Sequence, residues 1–149
     1  MRVKKLSRLW LLPLIIFQFT APAFAASKID ISVKTVLAAQ DAAYVDPRLK
    51  DLAKELKTVF RYTSYRLLGE NRIRLELKKT GTISLPGNRV LKVTPVRISG
   101  NRAELNLAIL KGNSQIFNTS IQLLNRGSIT IGGPRHKNGF LLLNIFNSF

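Results

Sequence analysis

From Lys28 onward the chain alternates apolar and polar residues in steps of two, and one stretch departs from that rhythm. Ile29, Ile31 and Val33 alternate with Asp30, Ser32 and Lys34, which predicts a half-buried strand over residues 28–39. Leu49, Leu52, Ala53, Leu56, Val59 and Phe60 recur at three- and four-residue steps, so residues 46–60 are expected to form the one long helix. Asp46 can accept from the free amides of the first turn, and Pro47 suits the first helical position. Lys57 and Arg61 suit the negative end of the helix dipole. A helix of about four turns is marginal alone, so its apolar stripe must cover the sheet.

The remaining pattern is short strands and glycine turns. Residues 61–66 favour extended structure and are expected to end at Gly69-Glu70-Asn71. Ile73, Leu75 and Leu77 then alternate with Arg72, Arg74, Glu76 and Lys78, a strand with one wet face. Residues 82–85 are short and extended, and Pro86-Gly87 has type II turn chemistry. Over residues 90–99 the apolar phase slips by one at Pro95, which signals a bulge or an edge. Gly100-Asn101 and Gly112-Asn113 mark turns on either side of Ala103, Leu105, Leu107 and Ile109. Residues 116–124 are extended. Residues 128–131 should stop at Gly132-Gly133-Pro134, and Phe140 to Phe146 is apolar on both faces apart from Asn144. A strand of that kind belongs in mid-sheet with cover on each side. About eight short strands and one amphipathic helix predict an α+β, mostly β fold: an antiparallel sandwich or curled sheet with the helix packed against it.

The front of the chain reads differently. Arg2, Lys4, Lys5 and Arg8 precede an apolar run from Leu9 to Phe19, and Ala23-Phe24-Ala25 matches a small-x-small cleavage pattern. Residues 1–25 are therefore read as a signal peptide for the general secretory route, delivering one β-rich domain, 26–149, to the periplasm or cell surface. The apolar run is too short to span a bilayer, so no transmembrane span is expected after cleavage. The chain has no cysteine, which excludes disulfides and a lipid-modified cysteine alike. The leader holds four of the 24 lysines and arginines and none of the eight acids, so residues 26–149 keep a net charge of +12.

That surplus points to anionic company. Arg72, Arg74, Lys78, Lys92, Arg97 and Arg102 fall where strand alternation turns them outward; aligned strands would make them one positive sheet face. Tyr62 and Tyr65, interleaved with Arg61 and Arg66, could add stacking, and Arg135 and His136 suit an anion. The partners implied are an anionic envelope polymer, a lipid headgroup or an acidic protein. Nucleic acid has less support because no nucleic-acid motif is present. Metal and cofactor sites are not expected from one histidine, no cysteine and dispersed carboxylates. A non-catalytic binding or adaptor module is the leading reading, with a structural subunit of an envelope or secretion-type assembly as alternative. A hydrolase would have His136 as its only base. Leu141, Leu143, Ile145 and Phe149 are similar to the closing strand of outer-membrane barrels, although Asn147 departs from that pattern and most strands are short for a span. Finally, Val45 to Leu49, Phe60 to Leu67 and Ile131 to Pro134 resemble a family of small exported bacterial proteins that share these blocks; the resemblance implies export and brings no activity.

Overall fold

A strand apolar on both faces needs two interiors, and the chain builds one on each side of a shared sheet. In the computed structural model, which describes residues 27–149, the order is β1 (Lys28–Ala39), β2 (Tyr44–Val45), a 3-10 turn (Pro47–Leu49), α1 (Lys50–Val59), β3 (Ser64–Glu76), β4 (Gly81–Leu85), β5 (Arg89–Ser99), β6 (Arg102–Lys111), β7 (Ser114–Leu124), β8 (Ser128–His136) and β9 (Gly139–Ser148). The expected leader lies outside the described residues. Sheet A has the order β2-β3-β1-β9-β8 and sheet B the order β4-β5-β6-β7. All pairings are antiparallel except the short β2–β3 contact. The fold is α+β and mostly β, with nine strands among the described residues where about eight were expected. No helix among the described residues is long and apolar enough to cross a membrane.

The inner face of sheet A meets sheet B. Ile29, Ile31 and Val33 from β1 and Leu143 and Ile145 from β9 interdigitate with Leu91, Val93, Leu105, Leu107 and Ile109 of sheet B. On the outer face Val36, Ala38, Tyr65 and Leu142 are capped by Leu49 and Leu56 from the helical segment. Each fully buried leucine contributes on the order of 1.5–3 kcal/mol of burial, which is what a ten-residue helix needs to persist. Outward positions of sheets A and B include Asp30, Arg72, Lys92 and Asn106.

The helix begins differently from expectation. Its first turn, Pro47–Leu49, is 3-10, and buried Asp46 clips it to β3. The Asp46 carboxylate accepts from the Arg48 amide (3.0 Å), from Arg48 Nε and Nη2 (3.0 and 2.7 Å) and from the Leu67 amide (3.4 Å). Those bonds, led by the Arg48 side chain, hold the carboxyl far below the usual range.

Two expected breaks are absent. Gly69-Glu70-Asn71 is not a turn: β3 runs through it beside β1, and a register shift opposite Thr35 and Val36 leaves Leu68 unpaired. A break there would have stranded the backbone groups of an unbroken β1. Nor does β8 stop at Gly132-Gly133-Pro134; it bulges between Gly132 and Arg135 and continues to His136. A Cβ on Gly133 would lie 3.0 Å from the Leu141 carbonyl oxygen, so a side chain there would press on the β9 backbone. Pro134 is tolerated because β8 is an edge strand. The phase slip at Pro95 is a bulge, with the register shifting between Pro95 and Arg97. Gly87, Gly100 and Gly112 all take positive φ at their turns.

Candidate functional site

The outer face of sheet A has two halves. α1 covers one; the other is bare and forms the floor of a groove of about 900 Å³. Register builds this floor in rungs. Arg74, Asp30 and Ser148 align across β3, β1 and β9; Arg72, Ser32, Phe146 and Ser128 align next, and then Glu70, Lys34, Asn144 and Thr130. Asp51, Leu52 and Glu55 of α1 line the wall. Arg74 grips Asp30 through Nε (2.6 Å) and Nη2 (2.9 Å), and this donation holds the Asp30 carboxyl below its usual range. Arg72 donates to Glu70 at 3.1 Å. Asn144 donates to Thr130 (2.9 Å), whose hydroxyl donates to Glu55 (3.3 Å), so floor and wall are joined. Four of the chain's eight acids line the groove, against only three bases. Phe146, 38% exposed, is the one aromatic on the floor.

A second locus lies at the opposite end of the same face, past the helix C-terminus. The Arg135 guanidinium sits 5.5 Å from the Phe140 ring centroid, and Phe140 lies 6.2 Å from Tyr62. Tyr62 meets Tyr65 edge-on at 6.4 Å. Arg89, at the start of β5, reaches over from sheet B and donates from Nη2 to the Arg135 carbonyl at 2.7 Å. His136 points the other way, towards Gly87. Burial, then Arg89, then Lys137 lower its pKa, which disfavours the protonated form.

The expected cationic residues are therefore divided. Arg72 and Arg74 sit in the groove, each already paired with a carboxylate. Lys92, Arg97 and Arg102 lie on the outer face of sheet B, where Arg97 pairs with Glu104 at 2.7 Å. Arg61, Tyr62 and Arg135 belong to the Phe140 end. Arg66 stacks on Tyr44 at 4.4 Å, on the side of β3 opposite Tyr65. The single positive sheet face does not form, because β3 and β5 fall in different sheets. Tyr65 is fully buried and offers no stacking surface; its hydroxyl donates to the Leu56 and Phe60 carbonyls and fastens the helix end. Among the described residues no group of three or more potential ligands converges to hold a metal ion.

Comparisons with protein-family models, curated proteins and solved structures gave no match for this chain, so its chemistry rests on its own residues. Sequence reasoning passed over Asp30, Ser32, Lys34, Glu55, Phe146 and Phe140. The polar alternation of β1 and of residues 72–76 was visible; that the two strands pair, 44 positions apart at Asp30 and Arg74, was not.

Proposed function

We propose that the chain is an exported, non-catalytic binding module that docks on an anionic envelope component through the Phe140 end of sheet A. The carrying observation is the Arg135–Phe140–Tyr62 stack, which gathers residues from β8, β9 and the segment after α1. Arg61, Arg89 and Lys137 are near it in sequence or contact, and none of them is in an ion pair among the described residues. Outside the groove, seventeen bases face four acids among those residues, a field that draws anions over roughly a Debye length, about 8 Å at physiological salt. Sedimentation with vesicles containing phosphatidylglycerol, or with an acidic polysaccharide, tests the reading. Binding is expected to fall steeply with salt and to drop in Arg135→Glu/Lys137→Glu, while Lys92→Glu on sheet B leaves it nearly intact. Equal losses from both changes would reduce the effect to net charge and remove the site.

A second reading, a subunit of an envelope assembly, is favoured by β7. It is an edge strand of eleven residues without a single charge, and it exposes Ile116 and Leu124. β7 bulges at Ile116, whereas edge β8 carries both a bulge and a proline. An edge strand without charge or proline can accept another strand along its regular part. Light scattering that shows only monomer at high concentration, both for the wild type and for Thr119→Lys, would speak against assembly through β7.

A further inference from the structure

We infer that the bare half of the outer face of sheet A is a binding site for a neutral glycan, with Phe146 as the platform for one sugar ring. This site is separate from the Phe140 end and does not depend on the function proposed for it. Charge is the first reason. The described residues carry twenty bases and eight acids, yet the groove holds four acids and three bases. Two of those acids are already gripped by Arg72 and Arg74. An anion is opposed there by Asp51 and Glu55, and a cation by Lys34 and the two guanidinium groups. Ionic ligands of either sign gain little, whereas a neutral polar ligand meets no net field.

Hydrogen-bonding capacity is the second reason. A neutral ligand that displaces water from charged and amide groups must replace the lost hydrogen bonds. Ser32, Ser128 and Ser148 present hydroxyl groups on the same floor, and Asn144, mostly buried there, spends its amide N–H on Thr130. The Arg72–Glu70 and Arg74–Asp30 pairs hold planar donors and acceptors side by side, a spacing that suits vicinal hydroxyls in the way paired guanidinium and carboxylate groups suit each other. A sugar ring supplies many hydroxyls at its edge and a face of C–H groups.

Shape and apolar contact are the third. Phe146 stands in the middle rung between Ser32 and Ser128, with its ring partly exposed among polar side chains of neighbouring strands. An aromatic face receives the C–H side of a ring by apolar contact while its surroundings serve the hydroxyls. The groove's 900 Å³ lies near the top of the range of about 300–1,000 Å³ typical of small-molecule sites, room for more than one ring.

Nuclear magnetic resonance titration of the whole exported chain with soluble oligomers of N-acetylglucosamine and of glucose tests the assignment. Expected is saturable binding by at least one series, in the millimolar range or tighter, with shifts centred on Phe146, Ser32, Arg72 and Asn144. Phe146→Ser should weaken it about tenfold and Phe146→Trp should retain it. Thermal unfolding of both variants near that of the wild type shows that the fold survives. Added salt should leave the affinity unchanged, which separates this site from anionic docking at the Phe140 end. Absence of groove shifts with both series, an affinity untouched by Phe146→Ser, or shifts that follow protein rather than saccharide concentration would each overturn the inference; the last would assign the groove to a second copy of the chain.

Discussion

Along the outer face, β1 reads Asp30, Ser32, Lys34 and then Val36, Ala38; β9, running back beside it, reads Leu142 and then Asn144, Phe146, Ser148. The same strands, in one register, cross from a polar half to an apolar half within a single residue step. The covering helix explains where the step falls. Ten helical residues span about 15 Å, while the twelve residues of β1 span about 40 Å. One short helix cannot roof the sheet, so the apolar positions retreat to the part it reaches. The half left open is polar but not basic, in a protein whose surface elsewhere is strongly basic. Coverage follows from stability; the neutral, hydroxyl-rich composition of the open half has no such cause and is what makes it a candidate site.

Substitutions can break this contrast. The largest effect is expected in the covered half: Leu56→Ala empties a fully buried position between helix and sheet and should cost about 2–5 kcal/mol in chemical denaturation. A loss below about 1 kcal/mol would mean that the helix is not an essential cover. Next comes the clip at the helix start. The Asp46 carboxyl is depressed in the folded state, so its contribution is fully present above the ordinary carboxylate pKa near 4 and is lost as pH falls through the lower folded value. The wild type should therefore destabilise more steeply than Asp46→Asn below about pH 4, as read by midpoints across a pH series; parallel curves would refute the linkage.

A smaller effect, of opposite sign, is expected beneath the open half. Asn147 is fully buried opposite Ile31, and neither of its amide atoms has a hydrogen-bond partner. Asn147→Leu should raise stability by about 1 kcal/mol. Smallest of all, Ser128→Ala in the open half should change stability by no more than about 0.5 kcal/mol, since exposed positions away from a cap or core rarely do more. A large loss would make the open half structural and erase the distinction.

Much of this was readable in advance. The span of β1 and the bulge at Pro95 follow from local chemistry, as do the glycine turns and the mid-sheet place of β9. The breaks expected at Gly69 and at Gly132-Gly133 were misread because a glycine that ends one strand and a glycine that permits a bulge look alike in sequence. The neighbouring strand distinguishes them. Tyr65 was misread for a related cause: its arginine neighbours suggested a surface, while the helix above it made an interior.

The alternation of β1, the stripe of α1 and the excess of cations are properties of adjacent residues, and the amino-acid sequence determined them without help. Which cations stand together was settled only by strand pairing, because Arg74 meets Asp30 and Arg135 meets Phe140 through registers that join distant or oppositely running segments. Pairing is chosen by the burial of whole faces, a cooperative quantity that no short window contains. For that reason a chain that spells out a basic protein folds with a nearly neutral groove in its side.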